Sequence, residues 1–106
     1  MFLIVTTTID DLAAADELVR SAVGGRLAAC AQVTGPIQST YWWQGTVETA
    51  DEWRISFKTT DAMAPSLAKH IRENHPYVTP EVIATVVDER GSNNAYLQWV
   101  TESLAA

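Results

Sequence analysis

Three side chains in this sequence stand out as candidates for chemistry: Cys30, His75 and Glu81. His75 and Glu81 share one short stretch, NHPYVTPE (Asn74 to Glu81), with Tyr77 between them and a proline beside each. Thiolate with imidazole is a soft donor set that suits copper, Cu(I) above all, better than Mg or Ca. One chain offers too few soft ligands for a closed structural site. Such a site would be shared between subunits or sit weakly at the surface. The alternative for His75 is a turn histidine whose ring bonds a backbone carbonyl. Cys30 and His75 also admit an enzymatic reading, nucleophile and base. However, LAACAQV sets Cys30 mid-strand among small apolar residues, where a thiol is inert core. No G-x-S-x-G elbow and no Gly-rich phosphate loop occur, and TTTIDD after the first strand offers no anion cradle. The expectation is a protein that is not an enzyme.

The elements that must position these groups follow from periodicity. FLIVTTT (Phe2 to Thr8) reads as a buried strand. Asp10 or Asp11 caps a helix with Leu12, Ala15, Val19, Ala22 and Val23 at helical spacing, and Gly24-Gly25 stops it. RLAACAQV (Arg26 to Val33) is a second strand, bent or bulged at Thr34 to Pro36. IQSTYWWQ continues it, Gln44-Gly45 turns it, and TVETADEWRISFKTT returns. There Trp53, Ile55 and Phe57 alternate with Arg54, Ser56 and Lys58, giving one buried and one polar or interfacial face. Asp61 opens the next helix, with Met63, Leu67 and Ile71 as its apolar stripe and His70 on its surface or boundary. That helix ends before His75-Pro76. Glu81 to Glu89 is a strand, and Asn93 or Asn94 caps a last helix with Tyr96, Leu97, Val100 and Leu104 on one side. The order is β-α-β-β-α-β plus a terminal helix. It predicts an α+β, ferredoxin-like antiparallel sheet with helices on one face and a long central hairpin.

The bulk numbers narrow the function classes. At 106 residues, with 47% hydrophobic and 19% charged side chains, residues 1–106 fit one globular domain. The net charge of −6 and scattered Lys and Arg argue against nucleic acid. Trp42, Trp43 and Trp53 could stack bases, but no aromatic-basic RNP1 pattern accompanies them. The single cysteine allows no internal disulfide and suits a reducing compartment. The apolar N-terminal run lacks a basic flank and a cleavage site and is too short to span a bilayer. We therefore expect a cytoplasmic protein without membrane partners. An overhanging ribbon carrying Tyr41, Trp42 and Trp43 needs a cover, and another copy of the chain is the cheapest one.

Three segments taken together, RLAACAQV (Arg26 to Val33), YWWQG (Tyr41 to Gly45) and NHPYVTPEVIA (Asn74 to Ala84), resemble the CutA family of divalent-cation-tolerance proteins. YLQWV (Tyr96 to Val100) is similar as well. The resemblance implies a tight homotrimer in which long strands of one subunit extend the sheet of the next, with Tyr41, Trp42, Trp43 and Trp53 at the interface. It implies tolerance of divalent metal ions, copper included, with no obligatory cofactor. It also implies a PII-like architecture, whose alternative use is sensing a small anion or nucleotide in a cleft between subunits. Lys58, Tyr77, Glu81 and Trp99 match positions of that intersubunit pocket, beside Cys30 and His75. Some members carry a cysteine on the first strand and a second histidine before the motif's histidine. Thr6 and Asn74 stand there in this chain. Both departures remove soft ligands and leave His75 and Cys30 as the candidate metal donors.

Overall fold

A computed structural model describes residues 1–105. Four strands form one antiparallel sheet, β1 (Phe2–Ile9), β2 (Cys30–Trp43), β3 (Thr46–Thr60) and β4 (Ile83–Val86), in the spatial order β2-β3-β1-β4. Between them run helices α1 (Leu12–Gly24) and α2 (Ala64–Asn74), and α3 (Asn94–Leu104) follows a short 3₁₀ turn at Glu89–Gly91. The strand pattern was readable because β1 is a continuous apolar and β-branched run and β3 alternates apolar with polar residues. Val5, Ile9, Ile55 and Phe57 point to one face of the sheet and pack on Ala15, Leu18 and Ala22 of α1 and Leu67 and Ile71 of α2. Leu18, not Leu12, centres the α1 stripe; Leu12 is half exposed. Leu97 and Val100 of α3 are buried outside that cluster. Tyr96 reaches Cys30, which stands opposite Lys58 in the β2–β3 register. So α3 covers one end of the other sheet face.

The caps separate the expected alternatives. Asp11, not Asp10, caps α1, its Oδ1 accepting from the Ala13 and Ala14 N–H groups at 2.9 and 3.3 Å. Asn93 caps α3 through the Ala95 N–H. Asp61 does not cap α2; its carboxylate faces the N-terminal ammonium at 3.4 Å, and the helix begins at Ala64. The end of α1 is a Schellman motif, with Leu27 N–H donating to Ala22 O and Arg26 N–H to Val23 O, both at 3.0 Å. Its left-handed residue is Arg26 (φ 58°), not either glycine. The Arg26 guanidinium donates to Ser103 O at the end of α3, 2.6 Å away. That turn delays β2 to Cys30, so Cys30 opens the strand, half-buried, instead of lying in its middle. β4 is also shorter than expected, since β1 pairs with it only from Leu3 to Thr6.

β2 and β3 leave the sheet together. β1 pairs with β3 only over Trp53 to Thr60, whereas β2 follows β3 to its start at Thr46. The outer ribbon, Ile37–Trp43 against Thr46–Glu52, is roughly 20 Å long at 3.4 Å per residue. It turns at Gln44 and Gly45, both with positive φ (48° and 79°), the two-residue turn that matches strand twist. The ribbon stretches the molecule to 44 × 27 × 21 Å, with a radius of gyration of 14.4 Å against about 13 Å for a compact domain of this length. A bulge sits at its root, where Gly35 and Pro36 on β2 oppose Trp53 alone on β3. It shifts the alternation, so that Tyr41 and Trp43 join the face of Glu52. Trp53 faces the other way and packs against the core, beneath Gly35, where an added Cβ would lie 2.6 Å from the Trp53 ring. Gly35→Ala is therefore expected to destabilise by about 1–3 kcal/mol through overpacking. Urea unfolding checks this, and an unchanged midpoint would show that the ring yields.

No helix among the described residues is long and apolar enough to cross a membrane.

Candidate functional site

Pro76 forbids helix at the residue before it, so α2 ends and His75 turns extended (φ −91°, ψ 139°). That turn drives the ring inward to 9% exposure. Its Nδ1 accepts the Tyr77 N–H at 3.1 Å. Nδ1 is then unprotonated, Nε2 carries the proton, and Nε2 donates to Thr8 O at 2.8 Å. Both nitrogens are committed, and the ring ties the loop to the end of β1. A metal or a substrate proton could reach His75 only by breaking one of these bonds.

Tyr77 packs edge-on against His75, ring centroids 4.6 Å apart. Its hydroxyl donates to Glu52 Oε2 at 2.7 Å. Burial first, and then the Glu52 carboxylate, push the Tyr77 phenol well above the ordinary tyrosine range. The loop from Tyr77 to Glu81 thus closes one wall of a groove of about 1010 Å³, and the ribbon forms the other through Ile37, Tyr41 and Trp43. Asp10, Glu52, Arg54 and Glu81 give the groove its charges.

The hydroxyl predicts a pH effect. The folded-state pKa is raised, so the stability this phenol contributes is complete below pH ~10, where an unfolded tyrosine ionises, and falls as pH rises toward the folded value. At pH 8, Tyr77→Phe should cost about 2 kcal/mol, since it leaves a buried carboxylate without its donor. Above pH ~10 the wild-type advantage should shrink, by at most about 1.4 kcal/mol per pH unit and less after solvent screening. Urea midpoints from pH 8 to 11 measure it. A gap that stays constant across that range would contradict the assignment.

The other candidate residues gather elsewhere. Cys30 Sγ lies 3.4 Å from the Tyr96 hydroxyl, and this contact leads the upward shift of the Tyr96 phenol. Lys58, across from Cys30, donates to Gln32 Oε1 and lines a small hollow of about 130 Å³ with Phe2, Ile4, Tyr96, Leu97 and Val100. Trp99 lies against Tyr96, centroids 5.4 Å apart, and is 44% exposed. The expected cleft set therefore divides within one chain: Cys30, Lys58 and Trp99 at one end, His75, Tyr77 and Glu81 at the other. Lys58 lies six residues along β3 from Glu52, roughly 20 Å away. Lys58 and Glu81, opposite in charge, line different hollows, and Lys58 donates to Gln32 instead. Nor do Cys30 and His75 form a dyad, because His75 is bonded to Thr8 and Tyr77. Among the described residues no three His, Cys, Asp or Glu side chains converge to hold a metal ion. One chain's donors do not fit a closed copper site.

Glu52 and Tyr96 were missed as site residues. Glu52 sits in the acidic run ETADE, which reads as a solvated face. Only the packing of Tyr77 reveals its burial.

Known proteins agree with this architecture. The family model described as CutA1 divalent ion tolerance protein matches residues 3–103. Protein CutA 1, chloroplastic, of Oryza sativa is 36% identical over 95% of the chain, but the chain spans only 56% of that protein. The divalent-cation tolerance protein CutA of Yersinia pestis is 33% identical over 96% of the chain, which spans 84% of that protein. The crystal structure of CutA from Xylella fastidiosa is 32% identical, superposes with a TM-score of 0.93 and covers 98% of each chain. With motif, fold and similarity over nearly the whole of residues 1–106 coinciding, the chain belongs to the CutA1 divalent ion tolerance family.

Proposed function

We propose that the chain acts in divalent metal-ion tolerance as a cytoplasmic homotrimer, in which each copy's projecting ribbon is covered by the next. The ribbon carries this reading. Over Thr46 to Glu52 the edge of β3 has no strand beside it, and Trp42, Trp43 and Val47 are 75%, 57% and 53% exposed. A long unpaired strand edge beside exposed aromatic rings invites pairing in water, and head-to-tail pairing that closes makes a ring. In such a ring the Cys30, Lys58 and Trp99 end of one copy can face the His75, Tyr77 and Glu81 end of the next, which completes the cleft. The chain is not an enzyme on this reading, a view supported by the commitment of both His75 nitrogens. Copper, where taken, is held weakly, with Cys30 as its soft donor and His75 outside the site. Calorimetry with Cu²⁺ on the wild type, Cys30→Ser and His75→Ala tests it. Heat lost only with Cys30→Ser is the expected result, and heat lost only with His75→Ala would reverse the assignment.

The groove beside Tyr77 favours a second reading, a PII-like regulator that binds a small ligand between subunits. A metabolite screen by thermal shift tests this, since a ligand of the native state raises the melting temperature. No shift with any candidate would leave copper tolerance as the sole reading.

A further inference from the structure

Glu52 is a buried carboxyl group with a single hydrogen-bond partner. The residue is 6% exposed, and an ion buried so far requires a cation or several donors. It has the one hydrogen bond from Tyr77 and no place among the ion pairs of the described residues. Among the described residues nothing donates to its second oxygen, and the residue lines the groove. That groove also carries Asp10 and Glu81, which makes it a poor receptor for an anion and a good one for a cation.

We propose that Glu52 receives the Arg54 guanidinium of a second copy of the chain. This rests on the homotrimer reading. Most cations of the chain are already engaged. Arg20 pairs with Asp16, Lys69 with Glu73 and Arg90 with Asp88. Arg26 bonds Ser103 O, and Lys58 bonds Gln32. Arg54 and Arg72 have no such partner among the described residues. Arg72 lies on α2, behind the opposite sheet face. Arg54 lies two residues from Glu52 on the same face of β3, lines the same groove and does not pair with it in the free chain. The groove adjoins the stretch of β3 whose edge is unpaired, where a second copy would dock. Tyr41, Trp43 and Tyr77 line it with aromatic faces, against which a planar guanidinium stacks better than an ammonium. In a closed ring each copy gives one Arg54 and takes one on its Glu52. The exchange also offsets repulsion between copies that each carry a net charge of −6.

Native mass spectrometry over a dilution series tests the pair, with wild type, Glu52→Gln, Arg54→Gln, the double variant, and the swap of Glu52→Arg with Arg54→Glu. Each single variant should raise the half-dissociation concentration about 10- to 100-fold. The double should be no worse than a single, and the swap should recover most of the loss. Arg54→Lys, which keeps the charge but loses the fork, should fall between and carries the comparison should Glu52→Gln not fold. A trimeric wild type with both single variants within about twofold of it would overturn the pair while leaving the trimer intact. Weakening by Glu52→Gln but not Arg54→Gln, with agmatine raising the melting temperature of wild type alone, would assign the groove to a free guanidinium compound instead. A wild type that is monomeric throughout would remove the homotrimer reading itself.

Discussion

His75→Ala will cost the fold about 3 kcal/mol and leave Cu²⁺ binding by the refolded protein unchanged. The ring is buried, donates to Thr8 O and accepts from Tyr77 N–H. Alanine strands a buried carbonyl, at about 1–3 kcal/mol, and a part-buried amide, at less, and opens a cavity besides. The loss spreads outward, because Tyr77 rests on the imidazole and bonds Glu52. Equilibrium urea unfolding should show the drop at unchanged slope. A loss below about 0.5 kcal/mol together with abolished copper heat would make His75 a ligand and not a strut.

NHPYVTPE thus mattered for a different reason from the one its residue types suggested. That it forms a turn was legible: Pro76 had to end α2, and it did at Asn74. The hairpin was legible too, since Gln44-Gly45 takes the positive φ values its turn requires. The charge state of the groove was not. Glu52 is buried by a loop twenty-five residues away, and no local pattern encodes such a contact. The bulge at Gly35 and Pro36 was expected, but its consequence, the transfer of Tyr41 and Trp43 to the Glu52 face, depends on the register. Arg26 was read as strand because RLAAC is apolar and small. Its left-handed turn is closed by the local Schellman bonds at the end of α1 and tied down by a tertiary bond to Ser103 of α3. Opposite charge does not bring Lys58 and Glu81 together; Lys58 donates to Gln32.

Trp42→Glu combined with Trp43→Glu will separate the assembly into folded single chains at micromolar concentration. The two rings alternate across the ribbon, at 75% and 57% exposure, and neither belongs to the core cluster. Removing them costs the isolated chain little. Buried tryptophans at interfaces are worth about 2–4 kcal/mol each, and a carboxylate in either position adds desolvation on both faces of the ribbon. Dissociation should become easier by at least about 100-fold, with the far-ultraviolet circular dichroism of the wild type retained. An intact oligomer in this variant would mean that the ribbon is not what joins the copies.

On the proposed reading a second copy covers the ribbon, completes the divided cleft and meets Glu52, so the mass of the wild type in solution is the most direct measurement. Light scattering behind size exclusion, at micromolar concentration, should give three times the 11.6 kDa of one chain. A stable mass of 11.6 kDa would contradict the account.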